Sequence, residues 1–117
     1  MALHVDLGFL RRICKGDHAR MAEFIRAYLT TAPRLYEDLT EAAQRGDAKA
    51  LSAATHDLRP QVHYMGAHRL AELLETIDQQ ARLEPPVLRI DLVDLALPIG
   101  GALSVELHEV LEGSVRP

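Results

Sequence analysis

Tryptophan is absent from the 117 residues, and aromatic side chains of any kind make up only 4% of them. Sheets draw on aromatic and β-branched residues. This chain relies on leucine and alanine instead, which favour helix. Cysteine occurs once, at Cys14, which excludes an internal disulfide and a cysteine metal cluster. The N-terminus lacks a basic segment followed by an apolar run, so no secretory signal is evident. The longest apolar stretch, Leu95 to Val105, contains Pro98, Gly100 and Gly101 and is bounded by Asp94 and Glu106. It is too short to cross a bilayer. An excess of basic residues is lacking too: the formal net charge is -4, which argues against a nucleic-acid partner. The Gly100-Gly101 pair sits in no P-loop pattern, so no nucleotide site is expected. A soluble cytoplasmic protein without a membrane segment is the expectation.

What is present is 48% apolar, in a length that fits one domain with one core. A single domain over residues 1–117 is expected, its core at about 5–112. Apolar residues recur by threes and fours throughout. Asp6 can cap a short first helix reaching Cys14, which Lys15-Gly16 ends. Asp17 caps a second, with Met21, Phe24, Ile25, Tyr28, Leu29, Ala32, Leu35, Leu39 and Ala42 or Ala43 inward. Its stripe keeps phase through Pro33, which favours one kinked helix over two helices meeting near Thr31. Arg45-Gly46 closes it and Asp47 caps the third. The fourth runs from about Ala67 to Arg82, with Leu70, Leu73, Leu74, Ile77 and Ala81 inward. Pro85-Pro86 marks the turn and start of the fifth, with Leu88, Leu92, Leu95, Ile99, Leu103, Leu107 and Val110. Pro98 and the glycine pair must bend or loosen it. Short connections favour antiparallel neighbours. The fold expected is all-α: an antiparallel four-helix bundle with a short additional N-terminal helix.

The third helix carries the chain's most informative stretch. Leu51, Leu58, Val62 and Met65 fall on one stripe, and His56 points roughly 150° away from its centre. Lys49, Ser52, Ala53, Arg59, Pro60 and His63 share that outward face. Arg59 is one turn on from His56 and Lys49 two turns back. Pro60 cannot donate to the His56 carbonyl, so the helix is expected to bend after the histidine. Gly66 permits the positive φ of a helix C-cap.

This constellation resembles the histidine-containing phosphotransfer (HPt) domain. The family pattern places a leucine two after the histidine, a basic residue three on, a small or helix-bending residue four on and a glycine ten on. Here these are His56, Leu58, Arg59, Pro60 and Gly66. Leu70 follows, and Phe24, Tyr28, Pro33 and Leu39 look like the family's preceding helix. The family more often has lysine at the Arg59 position and glycine at the Pro60 position. The resemblance implies that His56 accepts a phosphoryl group from a receiver-domain aspartate and passes it to another. Arg59 would stabilise the phosphoryl charge, with Lys49, Ser52, Pro60, Gln61 and Gly66 in support. The docking face would be built from the second and third helices. Partners would be the receiver domains of a hybrid histidine kinase and of a response regulator. The chain would have no cofactor of its own and no kinase activity, Mg²⁺ belonging to the receiver, and it would be a monomer.

Rival readings have less support. His56, His63 and His68 are spaced seven and five apart, which does not converge on one metal ion. Ser52 and His56 lack the strand–turn–helix elbow of a hydrolase. A helical adaptor that keeps the fold without the chemistry is the main alternative. A dimeric histidine-bearing domain of a kinase is a second.

Overall fold

Aspartate caps and a glycine turn set where the second and third helices begin. The computed structural model describes residues 4–114, so the ends of the expected domain lie outside the described residues. Five helices form within them: α1 Gly8–Ile13, α2 His18–Arg45, α3 Ala48–Tyr64, α4 His68–Ala81 and α5 Ile90–Ser114. Asp17 caps α2 by accepting the Arg20 N–H at 3.2 Å, and Asp47 caps α3 by accepting the Ala50 N–H at 3.0 Å. Between α2 and α3, Gly46 turns the chain with φ 66°. Asp6 does not cap α1 as expected. Its carboxylate takes the Gly8 N–H at 3.0 Å, and the helix begins after Leu7, which offers no side-chain cap.

Helix α2 packs on α3 and α5, and α4 packs on the same two, which closes a ring in the order α2, α3, α4, α5. Short connections make the neighbours antiparallel. The first helix lies where α3 ends. The Asp6 N–H donates to the Met65 carbonyl at 3.1 Å, and the Phe9 ring packs 5.3 Å from His63 and 5.6 Å from Tyr64. The result is the expected four-helix bundle with a short N-terminal helix.

The second helix runs through Pro33 as one element. The proline removes a donor to the Leu29 carbonyl. On the turn before it, the Thr30 and Thr31 hydroxyls donate to the Arg26 and Ala27 carbonyls at 2.8 and 3.0 Å. The third helix likewise continues past Pro60 to Tyr64. Tertiary burial on both sides of each proline outweighs the lost bond.

The fifth helix departs from expectation in two ways. It starts at Ile90, one turn after Pro85-Pro86, and Leu88 stays in the connection. The reason is the Val87 N–H, which returns to the Gln80 carbonyl at 2.9 Å and ties the connection to the end of α4. Its inward stripe otherwise holds, with Leu92, Ile99 and Val110 packed against the core, but one expected member turns outward. Val93, Ala96, Leu103 and Leu107 are buried, while Leu95 is 50% exposed. Tyr36 on α2 packs closely against the middle of α5. Its ring lies so close to α5 that a Cβ on Gly100 would meet it at 2.6 Å. Small residues therefore face α2 at mid-helix. The Tyr36 hydroxyl is 2.8 Å from that of Tyr28, and burial pushes both phenols above the ordinary tyrosine value.

Two predictions follow from this contact. Gly101 has nothing within 4 Å of an added Cβ. Gly101→Ala should therefore stabilise the chain by about 0.5–1 kcal/mol through helix propensity, whereas Gly100→Ala should cost about 1–3 kcal/mol by overpacking. Urea denaturation of the two variants should show midpoints moving in opposite directions. The tyrosine pair sets an alkaline limit. Both folded phenols hold their protons above the unfolded value of 10.0, so the folded chain binds more protons there and stability falls as pH rises past it. In melting curves above about pH 10, a Tyr28→Phe/Tyr36→Phe chain should lose less stability per pH unit than wild type.

Candidate functional site

On α3, Leu51, Leu58, Val62 and Met65 are buried, with at most 2% of their surface exposed. Thr55, also buried, turns its hydroxyl to the Leu51 and Ser52 carbonyls at 3.2 and 2.8 Å. With that side of the helix fixed, His56 emerges exposed on the other. Its ring has no hydrogen bond or ion pair among the described residues. It opens onto a groove of about 430 Å³ between α3 and α4, lined by Arg59, Pro60 and His63 on one side and His68, Glu72 and Glu75 on the other. A ring nitrogen there is free to act as a nucleophile, with room for an incoming group.

Arg59 also borders this groove, but it is not a loose surface cation. Its Nη1 donates to Asp78 Oδ2 on α4 at 3.3 Å, and only 34% of its side chain is exposed. Asp78 itself is 1% exposed. Its other oxygen accepts the Ser52 hydroxyl, and Arg82 Nη2 reaches Oδ2 at 3.3 Å. Ser52 therefore faces α4 and is engaged there, instead of leaving open space beside His56. No buried side-chain polar atom lacks a partner among the described residues.

The remaining expected residues divide. Lys49 lies exposed two turns before His56, without an ion pair among the described residues. Pro60 lines the groove directly. Gln61 turns the other way: its Oε1 accepts the Thr31 hydroxyl at 2.9 Å, and its Nε2 donates to the Asp57 carbonyl at 3.3 Å. It ties α3 to α2 and is engaged there instead of at His56. Gly66 serves the corner. It has φ 73°, and a Cβ there would lie 1.8 Å from the Asp6 carbonyl oxygen.

Beneath the groove, the His63 ring lies 6.2 Å from His68 and 6.4 Å from Tyr64, which in turn contacts Phe24 at 6.2 Å. These rings and Phe9 form an aromatic cap on the bundle end. Among the described residues, no group of three or more histidine, cysteine or acidic side chains is placed to hold a metal ion. The groove places α4 beside His56 as well.

Sequence reasoning missed Asp78. The signal was present: an aspartate inside the inward stripe of Leu74, Ile77 and Ala81, four residues before Arg82. A carboxylate at such a position is buried only with partners.

No curated protein and no solved structure gives a significant match to the chain. The family model described as Hpt domain matches residues 23–113, a segment that holds most of α2, all of α3 and α4, and α5 to Gly113. Hpt domains are phosphotransfer modules without an ATP site that meet receiver domains in phosphorelays. With the helical bundle and a match over most of its length, the chain belongs to the Hpt domain family.

Proposed function

We propose that His56 accepts a phosphoryl group from the aspartate of a receiver domain in a hybrid histidine kinase, and passes it to the aspartate of a response regulator. The observation that carries this reading is the exposed, unpartnered His56 ring on a helix whose opposite side is buried. A neutral imidazole nitrogen attacks the phosphorus of the aspartyl phosphate. The N–P bond forms, the P–O bond to the carboxylate breaks, and the aspartate leaves as an anion. The second transfer is the reverse, with His56 as leaving group. Positioning in line and stabilising the phosphoryl oxygens supply most of the catalysis for such a step.

On this chain, Arg59 borders the same groove and retains N–H donors beyond the one used on Asp78. Lys49 adds positive field along the face, weakened by screening over about 8–10 Å. Mg²⁺ would sit on the receiver and bring charge neutralisation with it. Among the described residues, no helix is long and apolar enough to cross a membrane. We place the chain in the cytoplasm as a monomer, making modest and short-lived interfaces that suit a relay.

The test is transfer from a phosphorylated receiver domain to the wild-type chain and to His56→Gln. Acid-labile, base-stable label on wild type and none on the variant is the expected outcome. Label that persists in the variant would move the site to another histidine, His63 in the same groove first. Absence of label with several receivers that still bind the chain would favour a helical adaptor.

A further inference from the structure

We propose that Asp78 is a positioning residue that holds the Arg59 guanidinium in place for the phosphoryl group on His56. This rests on the reading of His56 as the phosphoryl carrier. Asp78 occupies a stripe of α4 where Leu74, Ile77 and Ala81 are buried, and an apolar side chain would pack there without the cost of a buried charge. The bundle therefore does not need a carboxylate at this position. The groove next to His56 supplies a use for it.

The carboxylate reaches α3 at two points that bracket the histidine. Oδ1 takes the Ser52 hydroxyl, four residues before His56, and Oδ2 takes Arg59 Nη1, three residues after it. Both partners lie on the α4 side of the exposed face. The helix surface beside His56 is thus pinned to α4 on either side of the ring. Arg59 commits one of its five N–H donors to this contact. The guanidinium is anchored at one corner and its remaining edge is left for another acceptor.

Charge bookkeeping supports anchoring over neutralisation. Arg82 meets the same Oδ2 at 3.3 Å from the following turn of α4. One carboxylate facing two guanidiniums leaves that cluster with one positive charge in excess, set against Glu72 and Glu75, which line the groove from α4. A free arginine would have to give up its rotamer freedom when the phosphoryl group arrives. An arginine already held by a buried carboxylate has less to lose, and its charge stays close to where the negative charge forms.

The test needs no receiver. The full chain is phosphorylated with phosphoramidate, and the ³¹P signal absent from His56→Gln is titrated by NMR in wild type, Asp78→Leu, Arg59→Ala and the double variant. A nearby cation lowers the pKa of the phosphoryl group. Arg59→Ala should therefore raise it, by about half a unit for a partly exposed site. Asp78→Leu should raise it by a similar amount, and the double variant should move no further than Arg59→Ala alone. The sign discriminates. Deleting a carboxylate by itself lowers a neighbouring phosphoryl pKa, so only a displaced Arg59 produces the rise. Leucine at position 78 fits the apolar stripe, and melting curves confirm that the variant is folded; Asp78→Glu, with its carboxylate retained, should restore the wild-type titration. An unchanged or lowered pKa in Asp78→Leu, a titration insensitive to Arg59→Ala, or additive shifts in the double variant would overturn the proposal. Because the chemical donor replaces the receiver, failure of relay transfer and failure of this proposal read out separately.

Discussion

Burial of Leu51, Leu58, Val62 and Met65 leaves α3 no freedom to rotate about its own axis. A turn of 100° in either direction would carry His56 against a neighbouring helix and expose leucine. Large-to-small changes at such positions cost several kcal/mol, which sets the scale of the force that fixes the rotation. The exposure of one imidazole is in this sense a product of the core. The groove, the reach of Arg59 and the approach open to a partner all inherit their geometry from that stripe.

Interior prolines show how far tertiary packing overrides local preference. Pro33, Pro60 and Pro98 lie within α2, α3 and α5, where an isolated helix would break. None of the three helices ends. Buried residues continue on both sides: Tyr28 and Leu39 around Pro33, Leu58 and Val62 around Pro60, Ala96 and Leu103 around Pro98. Their combined burial exceeds the roughly 3 kcal/mol that an interior proline costs. Pro60 has a further local consequence, since it borders the groove and leaves the His56 carbonyl without its usual helical donor.

The fold and the exposed histidine were legible because both follow from periodicity and capping. The inward stripes of α2, α3 and α4, the aspartate caps at Asp17 and Asp47 and the glycine turn at Gly46 are local properties of the sequence, and they stand as expected. What was not legible depends on contacts between distant residues. The outward turn of Leu95 and the close seat of Tyr36 over Gly100 depend on packing across the bundle, which the pattern within residues 90–114 does not encode. The late start of α5 depends on one backbone bond from Val87 to Gln80. Gln61 could be assigned to the His56 face or to α2 only once the Thr31 hydroxyl was seen beside it. Asp78 is the intermediate case. Its place in an apolar stripe was visible, but its partners on α3 lie 19 and 26 residues away.

A carrier must hold its group without holding it too well. If Arg59, Lys49 and Arg82 all faced the phosphoryl oxygens without competition, the phosphohistidine would be lowered in energy together with the bound state, and onward transfer would slow. The site avoids this by mixing signs. Glu72 and Glu75 line the same groove as His56, so a phosphoryl group carried there would enter a field that is partly repulsive. On the proposed reading, a receiver domain that brought its own divalent cation would change the balance only while docked. On that reading, the phosphoryl group would move when a partner supplies the missing charge and would stay on the imidazole between encounters.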